Sequence, residues 1–179
     1  SDCLSYQGLA REISAALAEP IQKSKVDSDL KVSWENGTKR KIQIDDADLC
    51  PQFWAIEIEG IKIGPSPDWL KKKLEAVGSR SINNVVDATN WALFEFGHPM
   101  HAYDAEWLKG SKIIARKAKA GETLKLLDGQ SITCTGYECV IADDQGPVGL
   151  AGVMGGEGSE VRPTTQKLFL ECAEFLPGA

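Results

Sequence analysis

The order of hydrophobic patterns along this 179-residue chain predicts an α+β fold. An N-terminal helical pattern comes first, a region of alternating residues follows, two or three helical patterns occupy residues 66–108, and strand patterns fill residues 112–173. Strands that are grouped in this way, and not interleaved one by one with helices, argue against the parallel sheet of a βαβ protein. The length is typical of one domain with at most one appendage.

Residues 5–18 predict an amphipathic helix, because apolar side chains recur at helical spacing. These side chains are Leu9, Ile13, Ala16 and Leu17. The polar residues 19–28 that follow predict a linker. We therefore expect an N-terminal helix with its linker over residues 1–28 and one larger domain over residues 29–179.

Two regions of alternating apolar and polar residues predict strands. Residues 30–45 predict a β-hairpin, because the Asn-Gly pair at 36–37 readily adopts positive φ. The alternation resumes over residues 54–63, where its period is broken around Gly60. A bulge or a bend is expected at that glycine.

The middle of the chain predicts helices. The segment Ser66-Pro67-Asp68 supplies an N-cap and a proline at the first helical position, and Gly78 ends this helix. Residues 84–96 are largely apolar on every side, which predicts a buried helix with Gly97 as its C-cap. A short third helix is expected over residues 104–108, with its aspartate as the N-cap.

The last third of the chain predicts strands separated by turns. The turns are indicated by Asp128-Gly129 and by the polar residues 143–146. The candidate strands are residues 112–117, 123–127, 131–134, 138–142, 147–151 and 167–173.

Composition excludes several classes of function. The net charge of −6 argues against tight binding of a phosphate backbone by this chain alone, and the lysine cluster 71–73 is interpreted as a solvated face, with RNA contact as the alternative. Five cysteines without a CxxC pair predict reduced thiols in a cytoplasmic protein and no disulfide framework. No apolar run approaches the roughly 20 residues that a membrane span needs.

His98 and His101, the only two histidines, lie three residues apart. A metal site needs further ligands, and no nearby cysteine pair or acidic pair supplies them, so no metal is expected. Each histidine is either hydrogen-bonded in a loop or able to contact a substrate ester or amine without a fixed charge. The residues alone leave these two interpretations open.

A glycine-dense turn, Gly152-Val153-Met154-Gly155-Gly156, is a second candidate. It lacks the order of a dinucleotide-binding fingerprint. A tight turn needs one glycine at most, so this density indicates close approach either of packed neighbours or of a ligand. Both interpretations remain open on the sequence.

Two polar residues in apolar surroundings complete the candidates. On a strand, Glu171 would share the side of Phe169 and face away from Leu168 and Leu170, and a buried carboxylate there is costly unless it is paired. A surface-facing glutamate on an edge strand is the alternative. Asn90 lies in the helix expected to be buried, where its amide would either form hydrogen bonds that hold the core together or bind a substrate amine. No P-loop or Ser-His-Asp order is present, and we assign no catalytic side chain.

Several of these segments, in their order along the chain, resemble the B3/B4 region of the beta subunit of bacterial phenylalanyl-tRNA synthetases. The resemblance covers roughly residues 50–177, and the segment from Asp2 to Glu12 also resembles what precedes B3 in that family. The matching motifs are Ile63-Gly64-Pro65-Ser66-Pro67-Asp68-Trp69-Leu70, Asn83-Asn84-Val85-Val86-Asp87, Pro99-Met100-His101-Ala102, Leu126-Leu127-Asp128-Gly129 and the glycine turn.

The resemblance implies a β-sandwich-like core with flanking helices and a pocket that removes tyrosine wrongly attached to phenylalanine tRNA. The positions that match the lining of the family's pocket are Asn90, His101, Gly152, Gly155 and Glu171, and Glu171 matches the residue that recognises the tyrosine hydroxyl. No side-chain nucleophile is required in that family, where the tRNA's terminal ribose helps to orient the water.

The resemblance also implies the molecular context. The chain is expected to be a fragment of a longer one, since the family's Thr-x-Ala-Ser motif is not found in it. The implied partners are the synthetase alpha subunit, the 3′ end of phenylalanine tRNA and tyrosine, with no membrane. ATP and magnesium would bind elsewhere in the whole enzyme, and no cofactor is expected in this chain. The alternatives are a non-catalytic module that orients the tRNA or the alpha subunit, and a free-standing relative that acts in trans.

Overall fold

The computed structural model of the chain, which describes residues 2–22 and 38–176, has the predicted α+β architecture. Its helices are α1 (Tyr6–Leu17), α2 (Asp68–Ala76) and α3 (Asn84–Phe96). Its strands are β1 (Lys41–Ile44), β2 (Gln52–Glu59), β3 (His101–Asp104), β4 (Lys112–Lys117), β5 (Thr123–Lys125), β6 (Ser131–Thr133), β7 (Cys139–Ala142), β8 (Pro147–Leu150), β9 (Met154–Gly155) and β10 (Lys167–Glu174). None of the described helices is long and apolar enough to span a bilayer.

Two sheets share one hydrophobic core, which confirms the expected sandwich-like arrangement. The larger sheet has the strand order β1-β4-β7-β8-β9 and the smaller has the order β2-β10-β3, while β5 and β6 form a separate ribbon. Ile113 and Ile141 from the larger sheet and Phe53 and Phe169 from the smaller sheet are all buried in the same cluster. The candidate site lies where these two sheets meet.

The central strand of the smaller sheet is β10, which pairs antiparallel with β2 on one side and with β3 on the other. Alternation along β10 puts Phe169, Glu171 and Ala173 on one side, and all three are buried. Glu171 lies opposite Ala55 of β2 and His101 of β3. The expectation that Glu171 shares the side of Phe169 is thus confirmed, and the alternative of an exposed edge glutamate is wrong.

The six strands predicted after residue 110 are all present, with ends that differ by no more than two residues. The short strands β3 and β9 were not predicted. The third helix expected over residues 104–108 is wrong, because this segment forms a turn after β3. Asp104 does accept the N–H of Glu106, but its other oxygen accepts the Thr165 hydroxyl at 2.6 Å, and a single turn results.

The helices α2 and α3 begin and end close to the predicted residues, with two corrections. Ser66 does not cap α2, because its hydroxyl donates to the buried carboxylate of Asp87. Gly97 caps α3 in the left-handed conformation, as predicted. However, Asp87 is the one fully buried residue of this helix, and its apolar residues remain partly exposed, so the expectation of a helix buried on every side is wrong.

The N-terminal helix α1 is present, but its apolar stripe is not buried against the described residues. Leu9, Ile13 and Leu17 are 45%, 57% and 68% exposed. The predicted linker and the first strand and turn of the predicted hairpin fall largely on residues 23–37, outside the described part of the chain. The second strand of the predicted hairpin is present as β1, which pairs in parallel with β4.

The predicted bend at Gly60 is confirmed, since this residue has a φ of +74° and β2 ends at Glu59. The strand does not resume over residues 61–63. The strand prediction used Trp54 and the apolar residues that alternate with it, and this side of β2 faces away from the shared core. Trp54 is 59% exposed, whereas Phe53, on the other side of the strand, is 8% exposed.

Candidate functional site

A cavity of about 150 Å³ lies between the two sheets, at the glycine turn. Four of the five predicted site residues line it, namely His101, Gly152, Gly155 and Glu171. A larger cavity of about 380 Å³ adjoins it, since several residues, among them Gly152 and Phe175, line both. The inner cavity matches in volume an engineered protein cavity of about 150 Å³ that binds benzene, so one aromatic ring fits.

Asn90, the fifth predicted residue, is not among the residues that line the cavity. It lies on α3, which contacts α2 and β3, and it is partly exposed. A partly exposed amide can bind water, so the reasoning that a buried amide must have a protein partner does not apply to it.

Glu171 places a carboxylate in the cavity wall with an exposed fraction of 6%. Its Oε2 accepts a hydrogen bond of 2.8 Å from the hydroxyl of Tyr103. Within the described ranges, Oε1 has no hydrogen-bond partner, and no lysine or arginine lines the cavity. Burial raises the pKa of Glu171 to about 7, although the hydrogen bond from Tyr103 acts in the opposite direction. The group is thus an acceptor held in low-dielectric surroundings without a compensating cation.

His101 faces Glu171 across the strand pair and packs edge-on against Tyr103, with 4.4 Å between the ring centroids. Burial lowers the pKa of His101 to about 4, so its imidazole is neutral at physiological pH. A neutral imidazole offers one N–H donor and one acceptor nitrogen. This state agrees with the interpretation of His101 as a contact for a substrate ester or amine.

His98 has a different environment. Its Nε2 lies 3.1 Å from the carbonyl oxygen of Ala173, which agrees with the interpretation of a hydrogen-bonded loop histidine. Among the described residues, no group of three His, Cys, Asp or Glu side chains could hold a metal ion.

The glycine turn is explained by packing and by access to the cavity together. A Cβ on Gly155 would lie 2.4 Å from Nε2 of His101, and a Cβ on Gly156 would lie 2.7 Å from the carbonyl oxygen of Val148. Gly152 adopts a φ of +67° between β8 and β9. Its N–H has no hydrogen-bond partner among the described residues, and it lines both cavities. The turn therefore packs closely against His101 and leaves one backbone N–H without a partner among the described residues.

Tyr103 is the site residue that the sequence analysis missed. It is 2% exposed, lines the cavity and donates to Glu171. The signal that could have found it is the strand β3 itself. Alternation along that strand places residues 101 and 103 on one side, so His101 implies Tyr103 once the segment is identified as a strand.

The chemistry available in this cavity follows from its lining. Apolar walls and one buried acceptor favour a ring that carries a hydroxyl, because such a group satisfies the acceptor and buries the ring. The lining contains no serine, cysteine or lysine side chain that could act as a nucleophile.

Comparisons with known proteins agree with this architecture. The model of the B3/4 domain family matches residues 49–179. The phenylalanine–tRNA ligase beta subunit of Geobacter metallireducens is 47% identical over 182 residues, covering 100% of this chain and 22% of that protein. The corresponding protein of Bdellovibrio bacteriovorus is 46% identical over 179 residues, covering 99% of this chain and 22% of that protein. The chain thus spans about a fifth of the length of these relatives.

A solved structure shows the same fold. It is an N-terminal fragment of the phenylalanyl-tRNA synthetase beta subunit from Pyrococcus horikoshii, with a TM-score of 0.56 and 15% identity, covering 96% of this chain and 52% of that chain. The resemblance inferred from the ordered sequence motifs is confirmed by these comparisons. The chain belongs to the B3/4 domain family.

Proposed function

We propose that this chain is the part of a phenylalanine–tRNA ligase beta subunit that removes tyrosine from mischarged phenylalanine tRNA by ester hydrolysis. The observation that carries the proposal is Glu171, a buried carboxylate in the wall of a cavity that accommodates one aromatic ring. Its free Oε1 would accept the phenol hydrogen of a tyrosyl group.

Selection of tyrosine over phenylalanine follows from the cost of leaving a buried acceptor unpaired. The two side chains differ by one hydroxyl, and an apolar pocket would bind both. When phenylalanine enters, the desolvated carboxylate gains no new partner, whereas tyrosine supplies a charge-assisted hydrogen bond. Sites built in this way discriminate by roughly 10⁴–10⁵.

The adjoining cavity provides the space for the ester and the terminal ribose. Gly152 lines both cavities, and its N–H is a donor for the oxyanion that develops during hydrolysis. The neutral imidazole of His101 can accept a hydrogen bond from the attacking water or donate one to the ester. No covalent intermediate is required.

The proposed context is a larger cytoplasmic enzyme. The net charge of −6 is unfavourable for holding tRNA, so other parts of the ligase would bind most of the tRNA and present its 3′ end to this site. The alpha subunit is the proposed protein partner. ATP and magnesium would be needed only for the charging of phenylalanine, at another site.

The test is hydrolysis of Tyr-tRNA by the full-length ligase. Glu171→Gln is expected to slow this hydrolysis by about tenfold or more, because a neutral amide replaces the charged acceptor. Glu75→Gln, an exposed change of the same kind on α2, serves as the control and should match the parent. Equal hydrolysis by Glu171→Gln and the parent would contradict the proposal.

A second candidate is a non-catalytic module that orients the tRNA or the alpha subunit. The exposed apolar stripe of α1 favours it, because Leu9, Ile13 and Leu17 would be buried by packing against another part of an assembly. This candidate predicts loss of assembly when residues 1–179 are deleted, and unchanged Tyr-tRNA hydrolysis in the Glu171→Gln variant. Intact assembly after the deletion would exclude it.

A further inference from the structure

The geometry points to Tyr103 as a positioning residue of this site: its buried hydroxyl holds one carboxylate oxygen of Glu171 and thereby leaves the other oxygen as the single acceptor for a tyrosine phenol. This inference rests on the proposed function and adds to it a residue that determines specificity.

The position of the Tyr103 hydroxyl is fixed on several sides. The ring packs against His101 at 4.4 Å and against Phe169 at 6.1 Å between centroids. Tyr103 lies directly opposite Phe169 in the β3–β10 register, which makes Glu171 its diagonal neighbour on the same side of the sheet. On the larger sheet, a Cβ on Gly149 would lie 3.2 Å from the hydroxyl oxygen, so the glycine leaves room for it. The hydroxyl therefore points at Oε2 and has little freedom to turn away.

Holding Oε2 has two effects on recognition. The carboxylate cannot rotate freely, so Oε1 stays directed at the cavity in the absence of substrate, which lowers the entropy lost on binding. The hydrogen bond also stabilises the ionised form, against the burial that raises the pKa of Glu171 to about 7. An ionised acceptor binds a phenol more strongly than a protonated acid does.

Glu171 is the group near Tyr103 that changes charge at moderately acidic to neutral pH. His101, from β3, has its pKa lowered to about 4 by burial and stays neutral there. Burial raises the pKa of the Cys50 and Cys139 thiols to about 11, and it raises the pKa of Cys172 as well. The pKa of Tyr103 itself is raised well above its usual value by burial and by the adjacent carboxylate. The difference between the Tyr103→Phe profile and the parent profile between pH 6 and 9 therefore reports the protonation of Glu171.

The experiment compares Tyr103→Phe with the parent in the full-length ligase, measuring hydrolysis of Tyr-tRNA and Phe-tRNA between pH 6 and 9. Tyr103→Phe removes only the hydroxyl from a packed ring. We expect Tyr-tRNA hydrolysis to fall about tenfold at pH 7, since one hydrogen bond to a charged group is lost, and to recover towards the parent rate at pH 9. The acid limb of the profile should move to higher pH. The ratio of tyrosine to phenylalanine hydrolysis should fall with it.

Tyr137→Phe is the matched control, because Tyr137 is 81% exposed and water can bind its hydroxyl. Its profile should coincide with that of the parent. The melting temperature of the Tyr103→Phe protein separates local effects from unfolding: a variant that melts near the parent yet keeps the parent's profile and selectivity overturns the inference. A loss of rate that is uniform at every pH and leaves the ratio of tyrosine to phenylalanine hydrolysis unchanged also overturns it, since that result would indicate packing alone.

The Glu171→Gln variant separates this inference from the proposed function. If Glu171→Gln loses Tyr-tRNA hydrolysis and Tyr103→Phe behaves as the parent, the inference about Tyr103 fails and the proposed function stands. If the parent does not hydrolyse Tyr-tRNA, or Glu171→Gln hydrolyses it normally, both fail together.

Discussion

The pair formed by His101 and Glu171 makes a specific prediction about stability and pH. Both groups are neutralised by burial, but in opposite directions, because one is a base and the other an acid. Between pH 6.5 and 4, the unfolded chain protonates His101 and the folded chain does not, so this group removes stability as the pH falls. Between pH 7 and 4.5, the folded chain protonates Glu171 and the unfolded chain does not, so this group adds stability as the pH falls.

The two contributions are similar in size. The pKa of His101 is lowered from 6.5 to about 4, and the pKa of Glu171 is raised from 4.5 to about 7. Each difference corresponds to about 3 kcal/mol of unfolding free energy across its window. Because the windows nearly coincide and the signs are opposite, the two effects almost cancel in the parent chain.

Single substitutions should expose each effect separately. We expect Glu171→Gln to lose about 3 kcal/mol of stability as the pH falls from 6.5 to 4, and His101→Gln to gain about 3 kcal/mol as the pH falls from 7 to 4.5, both relative to the double variant. Urea unfolding followed by tryptophan fluorescence at half-unit pH steps measures these slopes. The double variant carries the contribution of all other titrating groups and serves as the baseline.

The alternative arrangement is an ion pair, and it would show in the parent and not in the single variants, which each lack one partner. If His101 and Glu171 formed an ion pair, the pKa of the histidine would be raised and that of the carboxylate lowered. The parent would then be more stable than the double variant between these two pKa values, and this advantage would be lost below the one and above the other. A peak of that kind, in place of a nearly flat difference between the parent and the double variant, would refute the conclusion that both groups are buried in their neutral forms at mildly acidic pH.

Three further predictions follow from packing. Gly155→Ala should lower the melting temperature by several degrees, corresponding to about 1–3 kcal/mol, because its Cβ would lie 2.4 Å from His101. Gly158→Ala is the control and should not lower it, because there is open space around this glycine. Equal melting temperatures of the two variants would contradict this prediction. Asp87→Ala should lower the unfolding free energy, measured in urea, by about 3 kcal/mol or more, because the Ser66 and Ser81 hydroxyls and the N–H of Ile82 lose their acceptor. Asp48→Ala, at an exposed position, is the comparison. Ile13→Ser should change the unfolding free energy of this chain by less than about 0.5 kcal/mol, since the side chain is 57% exposed, and a larger loss would show that α1 is packed.

The fold was predictable where local signals and tertiary pairing agree. Turn residues such as Asp128-Gly129 separate the strands of the last third, and Gly129 does adopt a positive φ. The strand β3 was not predictable in this way, because its four residues owe their conformation to pairing with β10, which lies more than sixty residues later. The local pattern instead predicts Asp104 as the N-cap of a helix, although aspartate also favours turns.

Burial was harder to predict than secondary structure. The alternation of Trp54, Ile56 and Ile58 correctly indicated a strand, yet the side of β2 that faces the shared core carries Phe53 and Ala55. A strand with apolar residues on both sides does not reveal which side is inside. The same ambiguity applies to α3, whose largely apolar sequence predicts a burial that the described structure does not provide.

The residues of the candidate site were predictable, but the contacts between them were not. The resemblance indicated His101, Gly152, Gly155 and Glu171, and the structure brings these four to one cavity. The bond between Glu171 and Tyr103 depends on the register of β3 against β10, and the contact between Gly155 and His101 depends on where the turn meets the smaller sheet. Neither relation can be derived from spacing along the chain.

The energetics of Glu171 support a functional role independently of the resemblance. On its side of β10, the flanking residues are Phe169 and Ala173, and both are buried in the shared core. An apolar residue at position 171 would continue that core, whereas the ionised carboxylate costs about 3 kcal/mol at pH 8, a large part of the 5–15 kcal/mol that stabilises a typical domain. Structural ion pairs can account for buried charges elsewhere, but no lysine or arginine lines this cavity. A costly polar group without a cation, directed into a cavity, is typical of a binding site.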